Sequence, residues 1–97
     1  MVTFVFRKYG ENLGTRMVGL EAHKQLMVLL RQDERVVLDF TGVNVVSNAF
    51  ADECIAKVLL EMPLDELKRR TTFRGLNPMA SASVLTALKR RHLALTV

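Results

Sequence analysis

The chain has 97 residues, a formal net charge of +4 at pH 7, and apolar and charged contents of 49% and 25%. That length suits one domain, 1-97, around one core, and the composition excludes a disordered chain. No apolar run approaches the roughly 18 residues that a membrane span needs, and the single cysteine, Cys54, excludes an internal disulfide and suits a reducing cytoplasm.

The charge is lopsided. From Lys68 onward the chain carries Lys68, Arg69, Arg70, Arg74, Lys89, Arg90 and Arg91 and no acid, whereas everything before Lys68 is mildly acidic. A basic third of a small domain attracts nucleic acid or an acidic protein surface, or forms a solvated face with cations at helix ends. The opening Met-Val-Thr-Phe-Val-Phe is a strand's length and lacks the basic start of an export signal, which argues for a cytoplasmic protein. His23 and His92 have no cysteine, histidine or acid at ligand spacing, so neither a metal nor a cofactor is expected.

In chain order, Val2 to Arg7 reads as a strand, and the segment Gly10 to Gly14 as a turn-rich connector. Thr15 is suited to cap a helix over Arg16 to about Arg31, whose Val18, Ala22, Leu26 and Leu29 form one stripe. Val36 to Phe40 is apolar enough for a strand buried on both faces. A second helix is expected from about Ala49 to Met62, with Ala51, Ile55, Val58 and Met62 inward and Glu53, Lys57 and Glu61 on an outer rail. Pro63 ends it, with room for a helical turn at Asp65-Glu66-Leu67. Thr71 to Arg74 is a third strand, Asn77-Pro78 starts a third helix, and Leu93 to Val97 would form an edge strand or a frayed tail. The order β-α-β-α-β-α(-β) predicts a small α/β domain with a mainly parallel or mixed sheet and right-handed crossovers. An edge strand at Leu93 to Val97 would offer pairing to a second copy, hence a homodimer.

Chemistry is thinly signalled. Gly10 and Gly14 sit between a strand and a helix, but neither a dinucleotide fingerprint nor a Walker signature surrounds them. Asp52 and Glu53 are adjacent in sequence, so they point about 100° apart on a helix instead of opposing one another. Asp39 closes a strand, where it can bind the backbone N–H groups of the next turn or pair with an arginine such as Arg16. No hydroxyl lies in a nucleophile elbow, and Cys54 falls on the inward side of its helix. No catalytic residue is assigned, and enzymatic activity is not expected. On a helical wheel Phe50 groups with Glu53, Lys57 and Glu61, where it either folds over the helix start as a staple or faces a partner.

The run Leu38-Asp39-Phe40-Thr41-Gly42-Val43 through Phe50-Ala51-Asp52-Glu53 resembles the signature of the bacterial STAS-like family of unknown function, a small relative of the STAS domains of anti-sigma-factor antagonists. Thr15-Arg16 matches that family's hydroxyl-arginine pair at the start of the first helix. The resemblance implies a STAS-like fold and a regulatory module without catalysis. Its partner by family would be a histidine-kinase-type ATPase or an anti-sigma factor. STAS antagonists are switched by phosphorylation of a serine at the amino end of the second helix. Ala49 occupies that position here and cannot accept a phosphate; Ser47, the nearest hydroxyl, either caps the helix, leaving the protein unswitched there, or substitutes as phosphoacceptor with altered geometry.

The leading expectation is therefore a docking surface of Ser47, Asn48, Phe50 and Glu53, held by a structural corner of Arg16, Asp39, Gly42 and Asp52. The alternative is nucleic-acid binding through Lys68-Arg69-Arg70 and Lys89-Arg90-Arg91, which would show as a steep salt dependence.

Overall fold

The computed structural model describes residues 1–96. Strand β1 (Val2–Val5) runs into a 3-10 turn over Phe6–Tyr9, followed by β2 (Asn12–Leu13) and helix α1 (Arg16–Gln32). Then come β3 (Val36–Asp39), β4 (Val45–Val46), α2 (Asn48–Cys54), a 3-10 turn over Ala56–Leu60, α3 (Leu64–Arg70), β5 (Thr71–Arg74) and α4 (Pro78–Thr96). The main sheet has the order β1-β3-β5 and is parallel throughout. Two-residue β2 and β4 make a separate parallel pair, with Leu13 opposite Val46.

Strands added in one direction by crossovers of one hand place their helices on one side of the sheet. The burial pattern agrees. Phe4, Val36 and Leu38 are buried beneath the helices, while Thr3, Val5, Thr72 and Arg74 lie exposed. The registers Thr3↔Val37↔Thr72 and Val5↔Asp39↔Arg74 put these residues on the opposite face. Strand β3 is thus buried on one face and half-open on the other, not buried on both as its apolar sequence suggests.

Helix α2 packs between α1 and α4. Phe50, Ala51 and Cys54 are all buried, because a short helix flanked on two sides and lying over a sheet has most of its circumference covered. Phe50 is 0% exposed. It meets Phe6 edge-on at 6.2 Å, and Phe6 stacks on Phe40 at 4.0 Å and on Phe4 at 4.6 Å. The expected single helix to Met62 instead tightens at Ile55 into i→i+3 bonding, with Val58 N–H donating to the Ile55 carbonyl at 3.1 Å. The tighter winding still turns Ile55, Ala56, Val58 and Leu59 into the core. Glu53 and Lys57 nonetheless form the expected i,i+4 pair, at 2.7 Å.

Helix α3 is a full element with Leu67 inward and Asp65 and Glu66 in its first turn. Asn77 caps α4 by accepting from Ala80 N–H at 2.8 Å. The tail expected as an edge strand continues this helix through Thr96, with Ala87, Arg91 and Ala94 spaced for one face. Val97 lies outside the described residues, and the strand-edge basis for pairing two copies is absent from Leu93 to Thr96.

The buried stripe of α1 is Gly19, Ala22, Leu26, Met27 and Leu30, one position round from the expected one, with Val18 and Leu29 only half-buried. Gly19 is where α1 meets α2. A Cβ there would sit 3.0 Å from Glu53 Cβ and 3.2 Å from the Phe50 carbonyl oxygen. Gly19→Ala gains about 1 kcal/mol of helix propensity, but overpacking costs about 1–3 kcal/mol. A net loss of about 1 kcal/mol is expected in urea denaturation. Phe50→Ala, which empties a filled aromatic site, should cost about 3–5 kcal/mol in the same measurement.

Candidate functional site

The corner between β3 and α2 is built from turns that the sequence dictates. Val43 N–H donates to the Phe40 carbonyl at 2.9 Å, closing a turn whose third residue is Gly42 at φ 83°. Glycine suits that position because the turn needs a left-handed conformation there. Asp39 Oδ1 accepts from the Thr41 backbone N–H at 3.0 Å and from its hydroxyl at 2.6 Å. Those bonds, with Arg74 nearby, hold the Asp39 carboxyl below the usual range. Asp39 therefore fastens its own turn, and Arg16 is not its partner. Gly75, at φ 76°, has no room for a side chain, since a Cβ would fall 2.5 Å from Thr41 Oγ1 and 2.6 Å from Thr41 N.

Beyond Gly42 the chain is laced to the connector after β1. Asn44 N–H donates to the Glu11 carbonyl at 2.7 Å and Ser47 N–H to the Leu13 carbonyl at 2.9 Å. Ser47 Oγ caps α2, accepting from Phe50 N–H at 3.0 Å, and donates to the Gly14 carbonyl at 3.0 Å. Both capacities of this hydroxyl are engaged, so Ser47 is a clamp between two segments. Asn77 Nδ2 donates to the Asn44 carbonyl at 2.8 Å, tying the start of α4 to the same loop.

One turn along α2, Asp52 sits between two guanidinium groups. Arg91 of α4 donates Nε to Oδ1 at 2.9 Å and Nη2 to Oδ2 at 3.1 Å, a bidentate fork, and Arg16 Nη1 reaches Oδ2 at 3.0 Å. The hydrogen bonds from Arg91 first, then Arg16, hold the Asp52 carboxyl below its ordinary value. Glu53 is likewise lowered, first by Lys57 at 2.7 Å and then by Arg16 at 3.5 Å. Beside this knot lies an open cleft of about 400 Å³, lined among others by Arg16, Asn48, Ala49 and Arg90.

The expected docking group is thus divided. Asn48 is exposed, Ser47 and Glu53 are half-buried and internally bonded, and Phe50 belongs to the core. The wheel position of Phe50 points outward, but burial on two flanks of α2 overrides that, and it presents nothing to a partner. The structural corner also separates into two parts, Asp39 with Gly42 in one turn and Arg16 with Asp52 between helices. Cys54 is buried, and burial pushes its thiol far up, so it is inert. The Gly10 to Gly14 connector is a laced turn and short strand.

The basic runs are each depleted by one residue. Arg70 folds back over the carboxyl end of α1, donating Nε to the Glu34 carbonyl at 3.1 Å, Nη2 to the carbonyls of Leu30 and Asp33, and Nη1 to Glu66 Oε2 at 3.1 Å. It is 16% exposed and satisfies helix-end carbonyls instead of meeting phosphates. Arg91 is engaged by Asp52, which leaves Lys68, Arg69, Lys89 and Arg90 exposed. The cleft that unites Arg16 with Arg90 and Arg91 was not legible, because it joins residues more than 70 positions apart. Among the described residues no three histidine, cysteine or acidic side chains are placed to hold a metal, and no helix is long and apolar enough to cross a membrane.

The Asp52 pair gives a pH dependence of definite sign. A carboxyl with a depressed folded-state pKa stabilises the fold above its unfolded value of about 3.9, and that contribution is lost as pH falls through the folded value. Asp52→Asn should lower the melting temperature at pH 7 and flatten its decline below about pH 4, as read by circular dichroism melts of both proteins across pH 2–7.

No curated protein and no solved structure matches the chain. The model of the family described as STAS-like domain of unknown function (DUF4325) matches residues 23–80, more than half of the sequence, spanning β3, the turn at Gly42, the Ser47 corner and β5. With that match and a compact α/β fold of parallel strands, the chain belongs to the STAS-like domain family of unknown function.

Proposed function

We propose that this protein is a non-enzymatic regulatory module that docks a partner protein through the loop and amino end of α2. One observation carries the reading: each reactive side chain at this corner already has a partner within the fold, while the loop beside it is open. Asp39 is held by Thr41, Asp52 by two arginines, and Glu53 by Lys57. A general acid or base works best with a pKa near the operating pH, and these partners hold all three carboxyls below their ordinary values, away from that range. Asn44, Val45 and Asn48, by contrast, stand at the surface, with Val45 50% exposed. Their backbone is fixed by Glu11, Leu13 and Asn77, so association would order little that is not already ordered.

The family resemblance points to a histidine-kinase-type ATPase or an anti-sigma factor as the partner class. A phosphate switch on this corner is not part of the proposal. Ala49 has no hydroxyl, and a phosphate on Ser47 would remove the proton it donates to the Gly14 carbonyl. Docking is expected to be constitutive with respect to this position.

The test uses Val45→Asp and Asn48→Arg, both at exposed positions outside the core. Titration calorimetry against a purified histidine-kinase-type ATPase from the same genome should show each variant at least tenfold weaker, with melting temperatures unchanged. Undiminished binding by both variants would remove this surface from consideration.

A further inference from the structure

We infer that the cleft between α4 and the amino ends of α1 and α2 is a binding site for a phosphomonoester dianion. Three guanidinium groups converge on it, from Arg16, Arg90 and Arg91, and only one carboxylate, Asp52, lies among them. The local balance is two positive charges in excess, since Glu53, which also reaches Arg16, is offset by Lys57. Asp52 acts as a positioning residue. By fixing Arg91 through Nε and Nη2 and Arg16 through Nη1, it holds two planar donors at the lining of the cleft.

The donors left over are the substance of the site. A guanidinium has five N–H donors in a fixed fork that matches phosphate oxygens. Arg91 Nη1, Arg16 Nε and Nη2, and the whole of Arg90 have no protein acceptor among the described residues. Asn48 adds an exposed amide to the wall.

Space is provided by small side chains. Ala49 of α2 and Ala87 and Ala94 of α4 line the cavity, the last two on the same α4 face as Arg90 and Arg91. The volume of about 400 Å³ exceeds what a bare phosphate requires and falls in the range of small-ligand pockets. Paired, preoriented arginines favour a doubly charged tetrahedral group over a single carboxylate. The carrier of that group is either a free metabolite such as a nucleotide or a phosphorylated side chain of another protein. Anion binding here neither needs nor implies the docking role of the adjoining loop, because it is measured with no partner protein present.

Inorganic phosphate, adenosine monophosphate and a phosphoserine peptide are titrated into the full chain by calorimetry, with melting temperatures recorded beside a sodium chloride control of equal ionic strength. Saturable binding of phosphate and of at least one ester is expected. Arg90→Gln and Ala94→Glu, both at exposed helix positions, should each weaken binding at least tenfold without changing the ligand-free melting temperature. Tighter binding of the nucleotide identifies a free metabolite and tighter binding of the peptide a modified protein, and either supports the site. Absence of binding, equal affinity in both variants, or an equal response to sodium chloride overturns it.

Discussion

Phe6 lies against three other aromatic rings, stacked on Phe4 and Phe40 and edge-on to Phe50, and so joins β1, the end of β3 and α2 at one point. Aromatic pairs of this kind contribute about 0.5–1.5 kcal/mol each beyond the area they bury. The more important effect is rotational. With Phe50 locked inward, the azimuth of α2 is fixed, and Asn48, Ala49 and Asp52, on its other sides, line a cleft together with α4. Phe6 opens the 3-10 turn that follows β1, so this ring sits where the chain leaves the sheet and meets α2.

Electrostatics then operates on a framework that packing has already set. Among the described residues no polar or charged residue is buried, and every buried side-chain polar atom has a hydrogen-bond partner. The ion pairs are therefore partly solvated, where each contributes little to stability. Their consequence is geometric. Arg70 closes the carboxyl end of α1, and Asp52 holds α4 against the amino ends of α1 and α2. A lysine at either arginine position would lack the planar fork that reaches several acceptors at once.

Local signals were legible in the sequence wherever a single residue type has one good use. Thr15, Ser47 and Asn77 cap their helices as read and Cys54 faces inward, whereas Pro63, expected to end the second helix, stands at the start of α3, beyond a 3-10 turn that already closes at Leu60. The parallel α/β order followed from alternating patterns in the chain. What the sequence withheld was context. A helical wheel for Phe50 cannot show that α2 has neighbours on both flanks. A two-residue pair such as β2 and β4 is too short to display a period. The roles of Arg70 and Arg91 depend on acceptors 36 to 40 residues away. Nothing in the sequence around Gly19 shows that α2 presses against it.

Gly75 and Asn77 give α4 an unequal pair of ends. At its start the backbone abuts Thr41 with no room for a methyl group, and Asn77 is tied to Asn44. Its far portion is held by the Asp52 fork and by side-chain packing. A helix rises about 1.5 Å per residue, so Arg90 and Arg91 sit roughly 20 Å from that anchored start. The helix is thus clamped at two points, by Asn77 on Asn44 at its start and by Arg91 on Asp52 about four turns on, so the cleft and the neighbouring loop share one frame.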